Sequence, residues 1–231
     1  MAQPQSAVQA APAPARIAFF DLDRTITRAG TYSPFLLHCA RSNPSRYSRL
    51  PASLIAMGAY VARRTTRAAL KARMLDLFIA GATRAEVAAW AGTFVDRWMR
   101  VQVRPGALQA IERHRKAGDQ VVMATASFDF YAQEFSRRLG LDHTIATVSV
   151  WDDADCLCAA VGGENCYGPA KITAVENHLS QFPSRPQFVF YSDHHSDFEL
   201  LKMADKGVAV NPGGELRALA GQNEIQVVDW G

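Results

Sequence analysis

Outside one central block, most of the chain alternates between short apolar runs that end abruptly and stretches with helical spacing. Residues 17–20 form the first run, and it stops at Asp21-Leu22-Asp23. Such a run is typical of a strand buried on both faces of a parallel sheet. Further strands are predicted at residues 120–124, 144–150, 187–191, 207–210 and 225–228. Helices are predicted at residues 105–118, 130–139, 169–182, 198–204 and 215–220. This alternation predicts an α/β fold with a mostly parallel sheet, and the turn-rich segment 152–163 is compatible with a hairpin.

The block at residues 31–103 differs because it has helical spacing throughout and no strand signal. One of its helices starts at a capping box, Thr83-x-x-Glu86, and continues as an apolar stripe. Functional sites of α/β sheets lie beyond the carboxyl ends of the strands, so a block inserted after the first strand would lie over the site. We predict a core at residues 16–30 and 104–231 and a small all-helical cap at residues 31–103.

Composition narrows the possible classes of protein. The 231 residues, 48% apolar and 20% charged, suit one globular domain with a small insert. A net charge of +3 gives no argument for nucleic acid binding. Residues 1–15 lack the pattern of a signal peptide and are expected to be a disordered tail. The four cysteines require no oxidising compartment, and no apolar run is long enough to span a membrane, so we expect a cytoplasmic protein.

Asp21 and Asp23 directly follow the first strand. Two carboxylates so close together oppose each other's ionisation, and a cation between them would relieve this. A carboxylate can also attack phosphorus to form an aspartyl-phosphate, and a second one can act as general acid and base. Asp is common in turns after strands, so the pair alone is also compatible with a plain turn.

Two later segments carry groups that can bind a phosphate. Thr125 follows a predicted strand, and its hydroxyl, with backbone N–H groups from Ala126 onward, can hold a phosphate oxygen. An ordinary helix N-cap at Ser127 or Asp129 explains the same residues. Lys171 stands at a helix start, where the helix dipole disfavours a cation unless an anion or carboxylates lie nearby. An exposed lysine is the simpler alternative.

Asp193 and Asp197 follow the strand predicted at residues 187–191. Asp193 could complete a magnesium site with Asp21 and the backbone carbonyl of Asp23, because Mg²⁺ prefers oxygen ligands and keeps several waters. The neighbouring His194 and His195 suggest zinc only weakly, since hard oxygen groups dominate the set.

The segment FFDLDRT resembles the first motif of the haloacid dehalogenase (HAD) superfamily, and later segments are similar to its three other motifs in the same order. A helical cap between the first two motifs marks the branch that includes phosphoserine phosphatase. In the fourth segment, Ser192 and His194 depart from the family's usual Gly and Ser.

The resemblance implies a Rossmann-like core with a helical cap, Mg²⁺ as cofactor, and a role for each matched residue. These roles are nucleophile and magnesium ligand for Asp21, general acid–base and magnesium-binding carbonyl for Asp23, phosphate binding for Thr125 with Ala126, a bridge between nucleophile and phosphate for Lys171, magnesium ligand for Asp193, and a metal-water contact or orientation of Lys171 for Asp197.

The expected function is therefore that of a magnesium-dependent phosphomonoester hydrolase acting on a small phosphorylated metabolite. One alternative is a lipid-phosphate phosphatase, similar to phosphatidylglycerophosphatases, because the apolar residues 54–61 stand beside Arg63, Arg64, Arg67 and Lys71 and could contact a membrane surface. Apolar helical faces usually serve the core, which favours ordinary cap packing with a solvated basic face. Another alternative is a non-catalytic binding or regulatory protein on the same fold.

Gly30 bears on the substrate. In phosphoserine phosphatases an acidic residue nine positions after the nucleophile faces the amino group of serine, and here that position is Gly30, with no acid at Arg28 or Thr31. An ammonium group would lose its hydration without a counter-charge, so we expect phosphoserine to be a poor substrate. A cap carboxylate such as Asp76 or Glu86 is an alternative counter-charge. The oligomeric state is left open by the sequence.

Overall fold

The computed structural model describes residue 14 and residues 16–231 of the chain. The tail predicted at residues 1–15 therefore lies, apart from Pro14, outside the described residues.

One sheet runs through the described part of the chain. Its strands are β1 (Arg16–Phe20), β2 (Gln120–Phe128), β3 (His143–Trp151), β4 (Leu157–Gly162), β5 (Gln187–Ser192), β6 (Lys206–Val210) and β7 (Gln226–Val228). Their order is β4-β3-β2-β1-β5-β6-β7, and every pair is parallel except β3 with β4. The predicted mostly parallel α/β sheet is confirmed.

The helices are α1 (Tyr32–Ala40), α2 (Leu50–Val61), α3 (Arg67–Phe78), α4 (Arg84–Val101), α5 (Pro105–Lys116), α6 (Asp129–Leu139), α7 (Pro169–Leu179), α8 (Phe198–Met203) and α9 (Gly214–Gln222), with a short 3₁₀ turn at Pro44–Arg49. None of these helices, within the described ranges, has the length and apolar character needed to cross a bilayer.

The central strand β1 is buried on both faces, as its unbroken apolar run predicts. Ala18 and Phe20 belong to one apolar cluster, whereas Ile17 and Phe19 belong to another on the opposite face. Phe20, the last residue of β1, pairs with Met123 of β2 and Tyr191 of β5. Because parallel strands end at the same edge of the sheet, the residues after Phe20, Met123 and Tyr191 meet there.

The helices α1 to α4 occupy the stretch between β1 and β2 in which the sequence predicts only helices. The capping box forms: the Thr83 hydroxyl accepts from the Glu86 N–H at 3.3 Å, and the Thr83 N–H donates to the Glu86 carboxylate at 2.9 Å. Phe94 of α4 packs edge-on against Phe135 of α6. The division into a core and a separate cap stays a prediction.

Two local predictions need correction. Strand β2 continues to Phe128 instead of ending at Ala124. Its pairing with β3 changes register between Ala124 and Phe128, and the polar residues Thr125 and Ser127 in this stretch are buried. No helix therefore starts directly after Thr125. The expected burial of the apolar face at residues 54–61 is also wrong, because Ser53 is the only buried residue of the fully described helix α2.

Candidate active site

Lys171 lies between two carboxylates at the carboxyl edge of the sheet. Its Nζ is 3.0 Å from Oδ1 of Asp21 and 2.7 Å from Oδ2 of Asp197, and all three side chains are buried. The chain reaches this arrangement because Gly168, with φ +57°, makes the turn into α7, which carries Lys171 in its first turn. The interpretation of Lys171 as an exposed helix lysine is therefore wrong.

The charges of this group are coupled. Burial raises the pKa of Asp21 to about 8, against the lowering effect of Lys171. Burial alone would lower the pKa of Lys171, but Asp197 and Asp21 outweigh it and hold that pKa above its usual range. The amine is therefore a fixed positive charge beside Asp21.

Asp197 has a second hydrogen-bond donor besides the Lys171 amine, and both donors contact the same carboxylate oxygen. The Ser192 hydroxyl donates to Oδ2 of Asp197 at 2.7 Å, so Ser192, which departs from the family's usual Gly, serves to fix this carboxylate. Oδ1 of Asp197 has no hydrogen-bond partner among the described residues although it is buried. A carboxylate oxygen so placed can accept a hydrogen bond from a water, including one bound to a metal.

Asp23 lies two residues beyond Asp21 in an irregular turn at Leu22–Ile26, and it is only partly buried. Its Oδ1 accepts from the N–H and the hydroxyl of Thr31, at 2.7 and 2.6 Å. Its Oδ2 lies 3.4 Å from the Ser127 hydroxyl, and Tyr131 lies 3.3 Å from the Thr31 hydroxyl. These neighbours come from three segments of the chain, and nothing in the local spacing of the sequence marks Thr31 or Tyr131 as part of the site.

Asp193 follows β5 and faces Thr25 of the turn after β1. Its N–H donates to Oγ1 of Thr25 at 2.9 Å, and the Thr25 hydroxyl lies 3.3 Å from Oδ1 of Asp193. Burial raises the pKa of Asp193 to about 6, while the hydrogen bond with Thr25 opposes this change. Asp193 is close enough to Asp21 for its charge to contribute to the raised pKa of Asp21.

Thr125 and Ala126 line the same cavity as these carboxylates. The Thr125 hydroxyl accepts from the N–H of Ser127 at 3.1 Å, and the Ala126 carbonyl accepts from the Thr147 hydroxyl at 2.8 Å. The N-cap alternative is not supported, because the residue before α6 is Phe128 and has no capping side chain.

Lys71 is buried in the cavity wall, so the prediction that it lies on a solvated basic face is wrong. Its amine donates to the Ala126 carbonyl and, at 2.6 Å, to the Asn165 side-chain carbonyl, and it lies 4.9 Å from the Phe128 ring centre. Burial lowers the pKa of Lys71 to about 7, and the nearby Arg67 adds to the effect. Its spacing from the buried Met74, Leu75 and Phe78 on α3 was the available signal.

His194 and His195 do not combine into a metal site with cysteines. The His194 Nδ1 accepts from the Ser196 N–H at 3.1 Å, while His195 contacts Glu215 at 3.2 Å. Among residues 14 and 16–231, no group of three or more His, Cys, Asp or Glu side chains has the arrangement of a metal site. The magnesium site predicted from the sequence has only two side-chain ligands, Asp21 and Asp193, and takes its third ligand from the backbone carbonyl of Asp23.

One cavity of about 500 Å³ is lined by the four carboxylates of Asp21, Asp23, Asp193 and Asp197 together with Thr125 and Lys171. Besides the carboxylates, Lys171 and Thr125, its walls include apolar and basic side chains of the inserted helices, among them Met57, Tyr60, Arg67, Leu70, Lys71 and Met74. The site therefore combines a reactive end at the sheet edge with a wall supplied by α2 and α3.

Comparison with known proteins identifies the family. The sequence model of the haloacid dehalogenase-like hydrolase family matches residues 18–202 of this chain. The chain belongs to this family. It is 31% identical over 191 residues to "Protein CicA" of Caulobacter vibrioides, a match that covers 81% of this chain and 82% of that protein. The predicted HAD hydrolase is thereby confirmed.

Two further likenesses concern the branch and the fold. The chain is 26% identical over 217 residues to "Phosphoserine phosphatase SerB1" of Mycobacterium tuberculosis, covering 92% of this chain and 70% of that protein. A crystal structure of a protein of unknown function from Bordetella pertussis superposes with a TM-score of 0.84 at 26% identity, covering 95% of this chain and all of the other. The likeness to phosphoserine phosphatase-like HAD enzymes supports a phosphatase.

Proposed function

We propose that this hydrolase is a magnesium-dependent phosphomonoesterase that forms an aspartyl-phosphate on Asp21. The observation that carries the proposal is the placement of Lys171, with its amine between Asp21 and Asp197 at the wall of a cavity that also holds Asp23 and Thr125. A fixed cation beside a carboxylate suits phosphoryl transfer, because the transferring group carries negative charge that must be stabilised.

The reaction follows from the positions of the two aspartates. A carboxylate oxygen of Asp21 attacks phosphorus, the bond from phosphorus to the ester oxygen breaks, and the leaving alkoxide takes the proton of the Asp23 carboxyl. In the second half, Asp23 takes a proton from water as the water oxygen attacks phosphorus, and the bond to Asp21 breaks to release phosphate. Thr31 and Ser127 hold Asp23 for both proton transfers.

The donor set fits magnesium. The side chains of Asp21 and Asp193 and the carbonyl of Asp23 are hard oxygen ligands, and the buried Oδ1 of Asp197 lacks a partner among the described residues. When bound, the cation would offset the phosphate's negative charge and favour the ionised forms of Asp21 and Asp193, whose pKa values burial raises.

We infer that the substrate is a phosphate ester other than phosphoserine. Gly30 lines the cavity and supplies no carboxylate for an ammonium group. Helices α2 and α3 add the basic side chains of Arg67 and Lys71 to the cavity wall and add no carboxylate to it. Such a wall favours a neutral or anionic leaving group over a cationic one. The test compares kcat/KM for phosphoserine, sugar phosphates, lysophosphatidic acid and phosphatidylglycerophosphate, and phosphoserine as the best substrate would contradict this inference.

The variant Asp21→Asn tests the nucleophile. The substitution is nearly isosteric, so we expect a native circular dichroism spectrum together with loss of p-nitrophenyl phosphate hydrolysis in the presence of Mg²⁺. The matched control is Asp153→Asn, because Asp153 is exposed and outside the cavity. A folded Asp21→Asn protein that turns over at the rate of the control would refute the assignment.

A further inference from the structure

Helix α2 exposes a continuous apolar stripe. Leu50, Leu54, Met57 and Val61 recur at spacings of four and three residues, which places them on one face of the helix. All four are exposed, with Leu54 at 72% and Val61 at 75%. The stripe is about 16 Å long, from eleven rises of 1.5 Å. Scattered exposed apolar residues are ordinary, but an aligned set on one helix face marks an interaction surface.

The charge around this stripe is one-sided. Residues 24–75 contain ten basic residues and no Asp or Glu, although the whole chain carries only +3. Among the described residues, Arg73 is the one member of this basic set that forms an ion pair with a carboxylate. Arg63 and Arg64 directly follow α2 and are exposed. The apolar stripe is therefore flanked by cationic groups that can bind an external anion.

We propose that α2 and the arginines after it form a docking surface for an anionic lipid bilayer. An apolar helix face with basic residues beside it partitions into the boundary between headgroups and acyl chains, where burial of the stripe and attraction to anionic lipids add together. A second copy of the chain is a poorer occupant, because a twofold interface on this helix would place two cationic surfaces against each other.

The same helix borders the catalytic cavity. Met57, a member of the stripe, and Tyr60 line that cavity together with Asp21 and Lys171. Docking through α2 therefore brings one wall of the cavity next to the lipid surface. The proposal concerns binding and does not rest on the phosphatase mechanism.

The test is sedimentation of the full chain with phosphatidylcholine vesicles that contain or lack phosphatidylserine. We expect binding to the vesicles with phosphatidylserine and little binding to the others. The variant Leu54→Ser/Val61→Ser should lose binding about tenfold or more. The variant Arg63→Gln/Arg64→Gln should lose about fivefold per arginine, and added salt should weaken the wild type in the same direction.

A matched control keeps the proposal falsifiable. Lys206→Gln/Arg217→Gln removes the same charge from exposed positions on β6 and α9, and it should bind vesicles as the wild type does. Circular dichroism and p-nitrophenyl phosphate hydrolysis should be unchanged in all three variants, because none of these residues lines the catalytic cavity. If the wild type does not hydrolyse p-nitrophenyl phosphate at all, the proposed function is refuted. The sedimentation result would still test the docking surface.

Three outcomes would overturn the proposal. One is a wild type that binds neither kind of vesicle. Another is a control variant that loses binding as strongly as Arg63→Gln/Arg64→Gln, which would mean attraction by net charge alone. The third is a wild-type dimer in analytical ultracentrifugation that does not bind vesicles and that Leu54→Ser/Val61→Ser converts to a monomer, which would make α2 an interface between two copies of the chain.

Discussion

Replacing Lys71 by Met tests how much a buried charged amine in the catalytic pocket lowers the free energy of unfolding. Lys71 is 6% exposed, and burial lowers its pKa from the ordinary 10.5 to about 7. Met has similar length and needs no hydrogen bond. The Ala126 and Asn165 carbonyl oxygens left behind lie 2.8 and 3.0 Å from the Thr147 hydroxyl, whose single proton can serve one of them at a time. The hydrogen bond lost at the other oxygen is a cost that does not depend on pH.

The sign of the effect follows from proton binding. Between the folded and unfolded pKa values, the unfolded chain binds a proton at Lys71 that the folded protein lacks, so the contribution of this residue to stability rises with pH in that window. With one pKa unit equal to about 1.4 kcal/mol, a folded pKa of about 7 makes the wild type gain about 2 kcal/mol relative to Lys71→Met between about pH 7 and about pH 9. Below that window the lysine is charged in both states and its full burial penalty remains.

The assay is urea unfolding of wild type and Lys71→Met, followed by circular dichroism at the two pH values. The difference between the two proteins cancels the titration of groups that both contain, provided that the urea dependence of the unfolding free energy is the same. Lys206→Met is the matched control, because Lys206 is exposed and should show no such difference. If wild type and Lys71→Met change in parallel with pH, the buried amine does not titrate in this range and the reasoning is wrong.

Three further predictions concern substrate, metal and fold. A Cβ added at Gly30 would have no atom within 4 Å, so Gly30→Glu should place a carboxylate in the cavity. We expect this variant to raise kcat/KM for phosphoserine relative to p-nitrophenyl phosphate by about five- to tenfold. An unchanged ratio would argue against the role given to Gly30. EDTA should abolish wild-type turnover, and Asp193→Asn should raise the Mg²⁺ concentration for half-maximal rate about tenfold or more, whereas full activity of metal-stripped protein or restoration by zinc alone would contradict a magnesium site. Thr83→Ala removes half of the capping box of α4 and should lower the free energy of unfolding by about 1 kcal/mol and Tm by about 2–4 °C, measured by thermal unfolding. An unchanged Tm would show that this capping box does not contribute to the stability of the protein.

The sequence by itself determined where the reactive groups stand along the chain. A buried parallel strand must be apolar along its length, so the change to Asp after residues 17–20 and to Ser-Asp after residues 187–191 marks strand ends in the letters alone. Gly168 before Lys171 likewise marks a turn into a helix, and the capping box at Thr83 fixes the start of α4. These signals are local, because each depends on the conformation of a few consecutive residues.

Only the tertiary structure decided which side chains surround those groups and which apolar faces remain uncovered. Helical spacing shows that α3 has an apolar face, but Lys71 reaches the cavity because its amine meets the Ala126 and Asn165 carbonyls, which lie 55 and 94 residues away in the chain. Thr31 and Tyr131 meet near Asp23 for the same reason. The apolar run of α2 predicts a buried face, yet Leu54 and Val61 are left exposed by the residues that the structure describes. Burial depends on what packs opposite a helix and not on the helix's own sequence.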